Sequence, residues 1–440
     1  MITPTLAQIV TQTYSADDVV SPYIYVFYVA FIVSFLFTPI MQTVASYYGI
    51  IDEPDNHRKM HSAPVAYLGG VAVFLGWITG MAVSQFLNLH RTEPGLLPHL
   101  KVPFSLVVGA SVIVLLGLWD DIQRINPWMK IGGQVFAAIC LLVEGVGTKC
   151  TYPMLLPIAT RLENIIHHAI VTGVWFDRIV FISSALLVVF AVVGCCNATN
   201  LMDGLDGLCG GVTAIIAAGF LFLAVHLATV GGGMNSNWDA LRVVLGLALL
   251  GAVLGFIPFN FNPASIFMGD TGSMFLGFVC ATMIILLAQE RGKWFLASMV
   301  MFALPVMDTV LAFVRRYVAG RPVFSADRFH FHHQLVSRGL TVRKTVLVIY
   351  SIAIMFALLG SAIVFIRTRY AIAVYLVVFG SIAVAAYKMG MVHERPRVAK
   401  AGGLDEDERV TPMREIDAST VLEIPDPRHS TGSGSTTKNS

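Results

Sequence analysis

The chain is built around apolar runs of about twenty residues, the length a helix needs to cross the hydrocarbon core of a bilayer. They fall at 22–46, 68–88, 103–119, 131–147, 179–196, 208–229, 241–259, 271–288, 295–315, 345–366 and 370–389. With no water in the bilayer core, each segment must satisfy its own backbone hydrogen bonds, and a helix does so internally. The expectation is an all-α polytopic membrane protein with about eleven transmembrane helices. The run at 131–147 is the weakest, being short and carrying Glu144 near its end. Composition agrees: 56% of residues are hydrophobic and only 13% charged, against about 25% charged in a soluble domain.

An odd number of crossings puts the termini on opposite sides. One set of loops holds Arg58, Lys59, Arg124, Lys130, Arg315, Arg316, Arg321, Arg328, Arg338, Arg343 and Lys344, with more Lys and Arg after the last span. The other set holds fewer, among them Arg91, Lys101, Lys149, Arg161, Arg178, Arg242, Arg291 and Lys293. The positive-inside bias makes the first set cytoplasmic. Residues 1–21 are then a short external N-terminus, 22–390 the membrane-embedded domain and 391–440 a cytoplasmic tail. That tail, with DEDER at 405–409 and STGSGSTTKNS at its end, lacks the apolar content for a core and reads as disordered. No basic n-region precedes the first run, which reads as an uncleaved anchor. The net charge of +2 comes with no basic stripe, so nucleic acid is not an expected partner. The cysteines form neither a CxxC metal pattern nor a disulfide framework.

The cytoplasmic-side loops concentrate Asp, Asn and His. They are DEPDNHRKMHSAPVAYLGG (52–70), DDIQRINPWMK (120–130), NATNLMDGLDG (197–207), FNFNPASIFMGDTGS (259–273) and the stretch 316–344 with SADRFHFHH. Asp120 and Asp121 end an apolar run, where carboxylates oppose the helix dipole and repel each other unless a cation or proton lies between them. The bland alternative is a solvated helix end. Asn197, Asn200, Asp203 and Asp206 recur every three residues, roughly one face of a helical turn; alone they would also suit an interfacial cap. Asp270 lies between two apolar stretches, which is expensive for an unpaired carboxylate. Its expected partner is a divalent cation shared with phosphate oxygens, the usual habit of Mg2+. His330, His332 and His333 beside Arg328 suit an anion such as phosphate, with zinc as the competing reading. Asp308 lies within an apolar run and calls for a pairing partner. Carboxylates, amides, a lysine and histidines at a membrane surface point to phosphoryl transfer.

Together these motifs resemble the polyprenyl-phosphate N-acetylhexosamine-1-phosphate transferases, a branch of glycosyltransferase family 4. DD at 120–121, NATNLMDGLDGL at 197–208, FNFNPASIFMGDTGS at 259–273 and DRFHFHH at 327–333 occur in the family's order. RKMHSAPVAYLGG at 58–70 and LPVMDTVLAFVRR at 304–316 match as well. The resemblance spans roughly residues 20–390. It implies transfer of a sugar 1-phosphate from a UDP-N-acetylhexosamine to undecaprenyl phosphate with release of UMP, in the bacterial cytoplasmic membrane. Mg2+ is the implied cofactor, with Mn2+ as a substitute, and a homodimer is the assembly common among relatives. The HFHH form is similar to the branch using UDP-N-acetylglucosamine; UDP-GalNAc or a diamino sugar are the alternative donors.

Carried over position by position, Asp270 and Asn200 would hold the metal. Asp120, Asp121 and Asp203 would be the catalytic carboxylates, the first two near the lipid phosphate. Lys130 would contact diphosphate and Asp206 the uracil. Asn197, Arg328, His330, His332, His333 and Lys59 would complete substrate binding. Many relatives carry a second proline where this chain has Ala66, which bears on local loop shape. A secondary transporter is the alternative of another class. Transporters place their sites near the midplane, often between repeated halves, whereas these carboxylates gather at one mouth and no repeat is visible.

Overall fold

In the computed structural model of the chain the described residues are 15–52, 64–89, 100–166, 171, 173–230, 237–318, 320 and 330–388. Among them α1 (Ala16–Val20) leads through a single turn into α2 (Ile24–Tyr48), followed by α3 (Gly69–Leu89), α4 (Phe104–Ile122) and α5 (Pro127–Val143). A short α6 (Tyr152–Ile166) precedes the long α7 (Val174–Met202), then α8 (Leu208–Val230), α9 (Asn237–Asn260) and α10 (Gly269–Ala288). α11 (Gly292–Met301), α12 (Ala303–Val318), α13 (Phe331–Ser337), α14 (Val342–Ile363) and α15 (Thr368–Lys388) complete the order.

All the apolar runs fall on helices, but not all of those helices have the length of a full span. Eight described segments are long and apolar enough to cross a membrane, and α11 with α12, bent by 72°, makes a ninth if the pair is one span. α5 and the apolar part of α15 are shorter. Two residues used to orient the chain are not loop residues either. Arg242 is completely buried, paired with Asp239 at 2.6 Å and Glu290 at 2.5 Å. Arg315 is buried within α12.

α10 is the axis of the bundle. Its sequence is apolar on all sides, so no polar face turns it toward water, and every residue except Asp270 is buried. α3, α4, α7, α9 and α11 all pack on it. Trp77 of α3 meets Phe275 edge-to-face at 5.3 Å, the favoured arrangement of aromatic quadrupoles. At the other end of α10, Arg242 donates to the Leu286 carbonyl and so caps its C-terminus with positive charge. Large apolar side chains such as Leu186, Phe190 and Leu358 face outward, as hydrocarbon rather than water would favour.

Backbone pairing outside the helices is brief and local to the site. β1 (Ile51–Asp52) pairs antiparallel with β2 (Val65–Ala66). Ala66 also bridges to Ile266, and Phe267 N–H donates to the Ala66 carbonyl at 2.8 Å. Gly69 and Gly70 donate back to Phe267 and Met268. This stitches the PVAYLGG segment to the entry of α10.

Candidate active site

The mouth of α10 begins with Gly269, whose φ of +70° is open to glycine at little strain. A Cβ there would also run into the Asp121 carboxylate. Asp121 reaches across from the end of α4 and accepts from Asp270 N–H at 2.8 Å, Thr271 N–H at 3.0 Å and the Thr271 hydroxyl at 2.6 Å. A carboxylate misplaced at the C-terminus of its own helix is thus set against the positive N-terminus of another. The approach depends on Gly117, since a Cβ there would lie 2.5 Å from the Thr271 Cα.

Asp270 projects from the first turn into a charged cluster. Lys130, in the first turns of α5, places Nζ 2.5 Å from Asp120 and 2.6 Å from Asp270. The other Asp270 oxygen accepts from Asn200 Nδ2 at 2.8 Å, and Asn200 also donates to Ser273 Oγ at 3.1 Å. Asp120 is held in turn by the Ile125 N–H at 2.9 Å. Asp203 caps α7 beside them. Its carboxyl is pushed up to about 8, by burial first and then by the charges of Asp270, Asp121 and Asp206.

Four carboxyl groups therefore gather at this mouth, two of them on the Lys130 ammonium. The donor set suits Mg2+: hard oxygens, with Asn200 spending its amide nitrogen on Asp270 and leaving its carbonyl oxygen as a ligand atom. Among the described residues no three His, Cys, Asp or Glu side chains are arranged to hold a metal alone.

The remaining expected residues divide. Asn197 lies one turn behind Asn200, donating to Gln134 at 2.8 Å and to the Val193 carbonyl at 2.7 Å, so its amide nitrogen is engaged inside the bundle. Asp206 uses one oxygen to hold Asn262 Nδ2 at 2.8 Å and Ala264 N–H at 3.1 Å; this braces the FNFNPAS loop and leaves its second oxygen. His330, His332 and His333 cluster, with His332 and His333 ring centres 4.3 Å apart. His332 packs against Gly204, next to Asp203, and burial, ahead of the neighbouring His333 charge, pushes its imidazole down to about 3, so the ring is neutral. Lys59 and Arg328 lie outside the described residues.

Sequence reasoning missed three contributors. Thr271 and Gln134 hold Asp121 and Asn197. Tyr67 is surrounded by Asp52, Asp203, Asp121 and Asp270; burial first, then these charges, push its phenol well above its ordinary value. Asp308 pairs with His330 at 3.0 Å. Asp308 is not among the three: as a carboxylate in an apolar run it calls for a partner, and His330 is that partner.

The model of glycosyl transferase family 4 matches residues 103–288, from the start of α4 to the end of α10. A Bacillus subtilis (strain 168) protein named probable undecaprenyl-phosphate N-acetylglucosaminyl 1-phosphate transferase is 33% identical over 342 residues, covering 76% of this chain and 84% of its own. A decaprenyl-phosphate N-acetylglucosaminephosphotransferase of Mycobacterium tuberculosis (strain CDC 1551 / Oshkosh) is also 33% identical, over 73% of this chain and 77% of its own. A phospho-N-acetylmuramoyl-pentapeptide-transferase of Bacillus cytotoxicus is 28% identical, over 76% and 94%.

Proposed function

The chain belongs to glycosyl transferase family 4, and from this we propose that it transfers N-acetylglucosamine 1-phosphate from UDP-N-acetylglucosamine to undecaprenyl phosphate. The products are UMP and undecaprenyl-diphosphate-N-acetylglucosamine, in the first membrane step of a cell-surface polysaccharide pathway. The protein acts in the bacterial cytoplasmic membrane, with the acid cluster and C-terminal tail cytoplasmic and the N-terminus external. The observation carrying the reading is Lys130 bridging Asp120 and Asp270 at the mouth of the buried α10. Such a site can receive a diphosphate beside a membrane surface. The donor sugar follows the names of the relatives at 33% identity.

In the reaction an oxygen of the lipid phosphate bonds to the phosphorus that carries the sugar. The bond from that phosphorus to the bridging oxygen breaks, and UMP leaves with that oxygen and its electron pair. A phosphate monoester is already anionic near neutral pH, so a one-step attack needs no covalent enzyme intermediate. Lys130 offsets negative charge on the diphosphate, and Asp120 keeps the ammonium in place. Asp121 fixes the first turn of α10 and with it Asp270. Asp203 is the acid able to exchange a proton with the incoming phosphate near neutral pH. The second oxygen of Asp206 faces the uracil, and the histidine loop meets the sugar phosphate. Asp270 and Asn200 would hold Mg2+, or Mn2+ in its place, which supplies charge neutralisation at the diphosphate when bound.

The test uses purified protein in lipid with Mg2+, undecaprenyl phosphate and separate UDP-sugars, reading UMP release and product mass. Product with UDP-N-acetylglucosamine, lost on chelation, is the expected result. Product only with another UDP-N-acetylhexosamine would move the donor assignment. No product from folded protein would overturn the reaction.

A further inference from the structure

Asp308 is a carboxylate in an apolar helix, 5% exposed, and such a group persists only with partners. Both its oxygens are engaged by the histidine loop. One faces His330 Nδ1 at 3.0 Å, and the other accepts the Phe331 N–H at 2.9 Å. His330 is itself 6% exposed, and its ring lies parallel to that of His332, centres 5.6 Å apart and planes 6° from each other. His332 carries this stack to the acid cluster, since its Nε2 occupies the space a Cβ on Gly204 would need. That Nε2 is buried and without a hydrogen-bond partner among the described residues. A buried polar nitrogen without a protein partner suits an atom that a ligand completes. The 72° bend between α11 and α12 is followed within α12 by Asp308, which lies beneath the histidine loop.

We infer that Asp308 is a positioning residue that acts through His330, holding the ring as its Nδ1–H form and with it the stack that sets His332 Nε2 toward the UDP-sugar. A carboxylate that accepts a backbone N–H on one oxygen and faces a ring nitrogen with the other sets both tautomer and orientation. This is what carboxylate partners of histidine do elsewhere in enzymes. The inference rests on the reading of the chain as a UDP-sugar phosphotransferase.

The experiment has two arms. In wild-type protein, imidazole nitrogen NMR with His330 assigned by its loss in His330→Gln reads the tautomer directly. A protonated Nδ1 is expected, and a neutral ring protonated only on Nε2 would overturn the inference. In the turnover assay, Asp308→Asn keeps one acceptor oxygen for two donors, so kcat/KM for the UDP-sugar should fall about 10- to 100-fold with the KM for lipid phosphate unchanged. Asp308→Glu should recover part of the loss. In a His330→Gln background, Asp308→Asn should add nothing further. Wild-type kcat/KM in Asp308→Asn, or an undiminished second loss in the double variant, would reject the positioning role alone. Absence of wild-type turnover with every donor would reject the functional reading and this inference with it. If Asp308→Asn does not fold, the NMR arm decides.

Discussion

Replacing Asp270 by Asn separates what the acid cluster does for the fold from what it does for chemistry. Asp270 receives Lys130 at 2.6 Å on one oxygen and Asn200 at 2.8 Å on the other. Asparagine keeps an oxygen for Asn200 but turns an NH2 group toward the Lys130 ammonium. One charge-assisted hydrogen bond is lost, about 1.5–3 kcal/mol. Relief of repulsion with Asp120 and Asp203 works in the opposite direction, and α10 keeps the Asp121 cap at its N-terminus. The bundle should therefore hold, with a net change in stability smaller than the lost bond. Turnover should not survive as well. Removing one preorganised electrostatic group from a reacting site typically lowers kcat by about 10²–10³, or 2.7–4 kcal/mol, and Asp270 also carries the proposed metal. The assay is UMP release in lipid alongside thermal unfolding of the same preparation. Turnover within about threefold of wild type would refute the argument. So would unfolding of the variant where wild type is folded, since that would make Asp270 a structural partner first.

Gly117→Ala should lower both stability and turnover, because its Cβ would lie 2.5 Å from the Thr271 Cα and force α4 off the mouth of α10; unfolding and UMP release measured together check this. Asp121→Asn should destabilise by about 0.5–2 kcal/mol, the range for a lost helix cap, because a single oxygen cannot serve both Asp270 and Thr271; denaturation of the reconstituted protein reads it. Asp203, raised to about 8, is protonated below that pH. Activity requiring its ionised form should rise with pH and level off above about 8, seen in kcat/KM, which reports the free enzyme. In Asp203→Asn the residual activity should no longer rise through this window.

Much of the site was legible because its chemistry is written in residue types that do not belong beside hydrocarbon. Asp120, Asp121, Asn200, Asp203 and Asp270 stood out on that ground, as did Lys130 by its company, and the structure brings them to one mouth. Asn197 was equally prominent at the same spacing, and its amide nitrogen is engaged by Gln134 of α5 rather than by the acid cluster. Nothing local distinguishes it from Asn200, because a three-residue spacing names a helical face and not what lies opposite.

The sequence by itself determined the helices, since segments of this apolarity must satisfy their own backbone, and it determined the family through motifs kept in order. Tertiary structure alone decided which acid does what. Asp120 and Asp121 are neighbours, yet one binds Lys130 and the other caps a helix 149 residues away. It also decided that Arg242 is a buried cap of α10 and that Asp308 answers to His330, 22 residues on. The reason is physical: periodicity and composition report a residue's own segment, whereas an ion pair or a cap exists only when packing sets two segments within about 3 Å of each other.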